Sequence, residues 1–472
     1  MTQLKPTIRL LIHDFHQSVL PSVREGLVCR ELSLGKPLQP KIGNLVKVVT
    51  GMRRSGKTFR LYQAIIELLD SGVPAGRICY FNFDDERLKP YPADIVSQVL
   101  ETFYELNPET RSEGAYIFFD EVQDVPGWEL AARRIVDTEK VTMYFTGSSS
   151  RLLSDDIATE FRGRSIAYEL LPYGFSEYLQ SRGLDVPRGA ELDSKTVASQ
   201  MKGSYQAFLL EGGFPAVCGL DEMERVQVLQ GYVQFTVARD LVERRGYANA
   251  AFVRNLARSV VASSARDFSI SRAHNQGTSS GYSPGREKIA EMLDAMEDAH
   301  LSYGVYDFSR SLQRSRLRGF KEYAVDTGLF YAMSPATTDG LTRALETSVY
   351  LELRRRRQTG RRGEVSMLKL PSGKEVDFIW GDEAFGAAFD LVQVCLSMDD
   401  ERTKVREISA LEEAMSLFPG ARATIVTLDE YGTEATPPWR YPRRPCLEMD
   451  VGKDCLIKDK PRLSQCVGTG GA

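Results

Sequence analysis

The octapeptide Gly51-Met52-Arg53-Arg54-Ser55-Gly56-Lys57-Thr58 constrains this chain more than any other stretch. It follows the β-branched run Leu45–Val49 and precedes a segment that carries Leu61, Ile65 and Leu68 on one helical face. The pattern G-x-x-x-x-G-K-[ST] between a buried strand and a helix is that of a phosphate-binding loop. Its glycines let backbone N–H groups converge on phosphate oxygens, and the helix N-terminus adds partial positive charge. Lys57 is expected on the β- and γ-phosphates of ATP, and the Thr58 hydroxyl on its Mg²⁺. Gly51, Arg53, Arg54, Ser55, Gly56 and Phe59 complete the candidate nucleotide contacts.

A second stretch, "AYIFFDEVQ", is an apolar strand that ends in Asp120-Glu121. An acid in that position can hold hydrated Mg²⁺, the role expected of Asp120. Glu121 is then the candidate base for the attacking water. "RICYFNFDDERL" and "VTMYFTGSSSRLL" are further buried strands with polar exits. In such sheets ligands bind at the carboxyl ends of the strands, so Ser148 is a candidate to sense the γ-phosphate or hold the water. Arg162 or Arg164 fits an arginine finger offered to the same or a neighbouring subunit, which admits a homo-oligomer. Each fits equally a structural arginine bound to an acid or a carbonyl.

The bulk properties narrow the partners. Net charge is −4, so any nucleic-acid surface has to be local. Seven cysteines without C-x-x-C spacing and four scattered histidines argue against a zinc site or a disulfide framework. They fit a reducing cytosol, and a cytoplasmic location is expected. No apolar run is long enough to span a membrane. Ile8, Leu11, Ile12 and Phe15 give the first residues the pattern of an amphipathic helix.

Downstream, a polar stretch near 181–204 reads as a boundary. The segment 250–309 has the order of a winged helix, with a helix opening at Ser283 and Pro284. That helix offers Arg286 and Lys288 to DNA, but Glu287 and Glu291 stand beside them. Two basic runs, Arg310–Lys321 and Arg354–Arg362, are candidate phosphate-binding surfaces. The alternatives for them are a solvated wing and linker, and a basic helix C-terminus. Near the end come a helix, three strands, a helix and a strand, the core order of restriction-type nucleases. Asp377 on "EVDFIW" is the candidate metal ligand of a second site, with Gln393 and Glu352 or Glu346 beside it. The position that needs a lysine holds Cys395, which cannot replace the cation.

"GMRRSGKT", "YFNFDDERL", "FFDEVQ", "TGSSSRLL" and "FRGRS…ELLPYGFSEYL" together resemble bacterial and archaeal AAA-type ATPases that carry a C-terminal domain of unknown function. The resemblance continues through "LLEGGFPAV", "KEYAVDTGLF", "LETSVYLELRRR" and "GKEVDFIW…LVQVC". It implies an α/β protein: an N-terminal P-loop AAA-type parallel sheet with flanking helices, a helical and winged-helix middle, and a C-terminal α/β domain of restriction-nuclease-like architecture. The expected segments are a helical lead-in at 1–40, the ATPase domain at 41–180, the helical and winged-helix domain at 205–310, the nuclease-like domain at 320–436 and an irregular tail at 437–472. The expected function is a Mg²⁺-dependent ATPase acting as a switch on nucleic acid or a partner. The alternatives are an ATP-regulated nuclease and a non-catalytic ATP-binding regulator.

Overall fold

A computed structural model of the protein describes residues 4–147, 161, 163–187, 194–279, 281–282, 284–308, 319–334, 337–358, 363–381, 388–428, 432–436 and 439–445. The chain forms two compact units. The first takes Met1–Pro172, Gly231–Ala257 and Ser271–Ser302; the second takes Tyr173–Gln230, Arg258–Ile270 and Tyr303–Ala472. The units therefore interleave along the chain, whereas the expected segments follow one another.

In the first unit, β1 (Val46–Thr50), β2 (Ile78–Asn82), β3 (Ala115–Asp120), β4 (Val141–Thr146) and β5 (Ser165–Glu169) form one sheet in the order β2-β3-β4-β1-β5. Every pairing is parallel. A parallel sheet is covered on both faces, which is why β1, β3 and β4 are unbroken buried runs rather than alternating ones. On one face Leu61, Ile65 and Leu68 of helix Lys57–Asp70 pack with Phe15, Leu34 and Tyr144. On the other, Ile8 and Ile12 of helix Lys5–Asp14 join Phe103, Trp128 and Phe119. The N-terminal helix is thus part of this core, not a lead-in to it. With all strands parallel, their carboxyl ends lie along one edge. That edge gathers the P-loop after β1 with Asp120 and Thr146, the last residues of β3 and β4.

In the second unit, helix Lys195–Glu211 runs through part of the polar stretch read as a boundary. Met201, Tyr205 and Phe208 give it a buried face at helical spacing, which outweighs its polar composition. Strands β6 (Arg266–Phe268), β7 (Ser302–Tyr306) and β8 (Phe320–Ala324) form a sheet in the order β6-β8-β7. Helix Arg286–Asp298, which belongs to the first unit, begins after Gly285, later than expected; Ser283 lies outside the described residues. The largest sheet comprises β9 (Ser366–Lys369), β10 (Glu375–Trp380), β11 (Asp390–Val394), β12 (Arg422–Thr427), β13 (Gly432–Thr436) and β14 (Trp439–Pro445), in the order β13-β14-β12-β11-β10-β9. Residues 439–445 are therefore a strand and not part of an irregular tail. They pair in parallel with β12, whose edge would otherwise leave backbone groups unpaired.

Asp326 ties this unit together. Its carboxylate accepts the Gly213 N–H at 2.6 Å and the Leu329 N–H at 2.9 Å, capping helix Thr327–Met333. Burial raises its pKa to about 6, against the pull of those N–H donors. A raised folded pKa means that the fold holds the proton more tightly than the unfolded chain does. The resulting stability is full below the ordinary value of 3.8 and lost as pH rises through about 6. Between pH 4 and 7 the wild type should lose about 2 kcal/mol more than Asp326→Asn, which has no carboxyl to ionise. Urea midpoints of the two proteins across that range check it; parallel curves would refute it.

Candidate nucleotide-binding site

The phosphate-binding loop leaves β1 with a backbone that admits only glycine at its first position. Gly51 has φ +146°, and a Cβ there would stand 2.2 Å from the Leu170 carbonyl oxygen. The loop closes at Gly56 (φ +97°), and Lys57 opens the helix. Lys57 is buried, and its Nζ donates to the Gly51 and Met52 carbonyls at 3.1 Å each. Burial lowers its pKa, opposed by the charges of Glu121 and Asp120. Arg54 and Phe59 are exposed on the same loop and first helical turn, and Arg53 is partly buried.

Two motifs distant in sequence meet here. The Thr58 hydroxyl donates to Asp120 Oδ2 at 2.8 Å, as does the Tyr80 hydroxyl, also at 2.8 Å. The Thr146 hydroxyl donates to the other oxygen, Oδ1. Asp120 is fully buried, and its pKa is raised by that burial and by Glu121. Such a carboxylate beside a hydroxyl is a hard-oxygen donor set short of positive charge, which suits Mg²⁺. Ser55 Oγ and Thr50 Oγ1 are buried without a hydrogen-bond partner among the described residues. Unsatisfied buried hydroxyls at the loop suit a ligand rich in oxygen acceptors.

Glu121 takes the left-handed conformation (φ +52°), and its N–H donates to the Thr146 hydroxyl at 3.1 Å. Its Oε2 accepts from Gln123 Nε2 at 2.5 Å. Ser148 and Arg162 lie outside the described residues. Arg164 pairs with Asp137 at 2.5 Å and donates to the Phe161 carbonyl, the arrangement of a structural arginine. To serve as a finger it would have to leave that carboxylate.

Several residues of this site carry no signal in the sequence. Arg30, from the first forty residues, donates to the Ser55 carbonyl at 2.7 Å and the Leu171 carbonyl at 2.6 Å, bracing the loop from behind. Tyr80 and Gln123 belong to stretches that are read for their acids. Asp240 pairs with Arg53 from 187 residues further along the chain.

The second expected site is arranged differently. Asp377 accepts the Val394 N–H at 2.8 Å. The ammonium of Lys321 stands 2.6 Å from Glu375, 3.1 Å from Glu346 and 3.7 Å from Asp377. Lys321 was expected at the end of a solvent-facing basic run; instead its side chain is only 11% exposed. Glu346, also held by Tyr323 at 2.7 Å, shares that lysine with Asp377. Glu352 instead pairs with Arg356 at 2.8 Å, one helical turn along. The Gln393 amide is engaged at both ends, by the Asp377 N–H and by Glu407. Among the described residues no group of three or more His, Cys, Asp or Glu is placed to hold a metal ion. The basic helix end is also engaged. Arg354 lies over the Tyr303 ring at 3.7 Å, Arg355 donates to the Tyr173 carbonyl, and Arg357 stands 3.6 Å from Glu364. Of the other run, 309–318 lie outside the described residues, as do 359–362.

Among the described residues no helix is long and apolar enough to cross a membrane. The sequence profile of the AAA domain matches residues 43–179, and that of a domain of unknown function (DUF8612) matches 202–340. An uncharacterized protein of Haemophilus influenzae is 26% identical over 75% of this chain and 84% of its own length. Among solved structures, the Walker-type ATPase PABY2304 of Pyrococcus abyssi is similar with a TM-score of 0.39. It is 13% identical, over 67% of this chain and 95% of that one. AMPPCP-bound DnaA of Aquifex aeolicus gives 0.23 at 16% identity, over 61% and 88%. TM-scores of this size carry no inference about this chain. The uncharacterized protein MJ1544 of Methanocaldococcus jannaschii is 31% identical over 83% of this chain and 84% of its own. The protein belongs to one family with MJ1544, and residues 43–179 are its AAA domain.

Proposed function

We propose that the protein is a Mg²⁺-dependent ATPase whose nucleotide state controls the binding of a partner by the rest of the chain. The observation that carries this reading is the contact of Thr58 with Asp120 beside the unsatisfied Ser55 and Thr50 hydroxyls. Thr58 and Asp120 would hold the Mg²⁺, which supplies charge neutralisation at the phosphates. Lys57 would leave the Gly51 and Met52 carbonyls for phosphate. Gln123 holds one oxygen of Glu121, and the other is available to take a proton from water. Lys57→Ala should abolish both ATP binding and hydrolysis. Glu121→Gln should keep binding and lose about 100-fold or more in turnover. Equilibrium binding and steady-state phosphate release, each with and without DNA and RNA, read both. Unchanged binding and turnover in Lys57→Ala would sink the reading, and stimulation by one polymer would name the partner class.

The middle of the chain supports a winged helix. Helix Ala250–Ala262, β6, helices Ile270–Ser279 and Arg286–Asp298, β7 and β8 follow the order of that fold, and its sheet order is β6-β8-β7. The exposed face of the third helix carries Glu287, Glu291 and Asp294 against Arg286 and Lys288. Lys288 is itself paired with Glu291 at 2.6 Å. That balance favours a protein partner over the DNA major groove. For the C-terminal sheet the reading is a nuclease-like architecture kept for binding, because Lys321 neutralises the acids that a metal would need.

A further inference from the structure

We propose that Asp240 is a positioning residue for Arg53, holding this P-loop arginine on a carboxylate until a nucleoside triphosphate takes it over. The inference rests on the nucleotide reading above. Asp240 lies in the π-helical stretch Val237–Glu243, which belongs to the same compact unit as the P-loop. Its side chain is 4% exposed. Arg53 grips it with two donors, Nε to Oδ2 at 3.1 Å and Nη2 to Oδ1 at 3.3 Å. The same guanidinium packs over the ring of Phe235 at 5.4 Å. Arg244, one turn on, donates to Asp240 Oδ1 at 2.9 Å and reaches Asp124 at 3.4 Å. Asp124 follows Glu121 by three residues. The π-helical stretch is thereby tied both to the P-loop and to the end of the strand that bears the candidate base.

The arrangement of charges makes this a device for exchange and not a fixed brace. A buried carboxylate stripped of its only cation is strongly unfavourable. Asp240 has two cations. If Arg53 leaves, Arg244 stays, and no charge is orphaned. Arg53 in turn needs an anion, and a triphosphate brings several negative charges to the loop that bears it. Its planar fork binds phosphate and carboxylate with the same two-pronged geometry, so one partner can replace the other. The stretch released is also suited to respond. A π-helical turn carries an extra residue, recurs at functional sites, and can relax once a side chain that holds it lets go. Asp240 therefore competes with the nucleotide for one arginine, and nucleotide binding loosens 237–243 from the loop.

The test uses the full chain and MgATPγS as the probe. Asp240→Asn, which weakens the hold on Arg53, should tighten MgATPγS binding by about three- to tenfold. Arg53→Met should weaken binding about tenfold, and in the double variant the gain from Asp240→Asn should vanish. Hydrogen exchange of 237–243 should quicken when MgATPγS binds the wild type and be indifferent to it in either variant. Arg53→Lys keeps the charge but not the fork. It should raise exchange there without nucleotide, which secures the test if Asp240→Asn misfolds. The inference is overturned if Asp240→Asn binds MgATPγS like the wild type, if the two substitutions act additively, or if exchange at 237–243 ignores the nucleotide. Wild-type protein that does not bind MgATPγS, or Lys57→Ala protein that binds it normally, would overturn the nucleotide reading itself.

Discussion

Lys321→Met should cost the second unit about 3–5 kcal/mol, because it leaves three carboxylates facing one another without their cation. Glu346, Glu375 and Asp377 all lie within 3.7 Å of the Lys321 ammonium. Burial alone would lower the lysine's pKa, but these acids outweigh it and raise it. Asp377 shows the same strain from the other side: burial first, then Glu346, raises its pKa, and Lys321 holds it down. Adding Glu346→Gln or Asp377→Asn to Lys321→Met should therefore recover part of the loss. Urea midpoints for the single and double variants measure it. The same experiment decides between lysine and metal. If Lys321 is the resident cation, chelator leaves the wild-type midpoint unchanged and millimolar Mg²⁺ adds nothing. Mg²⁺-dependent stabilisation of the wild type would reverse that reading and revive Asp377 as a cation ligand.

Gly213→Ala should be comparably damaging, at about 3 kcal/mol. A Cβ at Gly213 would stand 2.3 Å from the Tyr173 carbonyl oxygen and 2.9 Å from its nitrogen. Both neighbours are backbone, and Tyr173 N–H already donates to the Gly213 carbonyl at 2.7 Å. No side chain can swing aside to make room. The glycine of "LLEGGFPAV" is thus needed where the chain meets "LPYG" and, through Asp326, "VDTG". Gly231→Ala is the control. It sits in helix Glu222–Thr236 with nothing within 4 Å of an added Cβ, and should be neutral or stabilising. Thermal unfolding of both variants settles it; equal midpoints would refute the packing argument.

What the sequence made legible was local in origin. The P-loop, the Asp120-Glu121 strand end and the buried strands between them need only neighbouring residues to be recognised. So does helix Lys57–Asp70, whose apolar positions recur at helical spacing. The partners of those residues were not legible, because they are chosen by distant backbone. Arg30 braces the loop through two carbonyls, which any residue could supply. Asp240 is one acid among many until the fold brings Arg53 to it. Lys321 closes a basic run in the sequence, yet the sheet turns it inward to a set of acids spread from 346 to 377. Strand β14 was hidden by its prolines, Pro442 and Pro445, which suggest irregular chain although the strand is paired on both sides, with β13 and with β12.

The interleaving of the two units bears on synthesis. The sheet that carries the P-loop is complete in sequence by Glu169, but its unit takes further chain up to Ser302. The second unit begins at Tyr173 and runs, among the described residues, to Pro445. On the ribosome, where the chain emerges N-terminus first, the strands of the nucleotide site must wait about seventy residues for Asp240. A nascent chain arrested near residue 180 would expose a half-finished surface, and a fragment cut there would inherit the same defect.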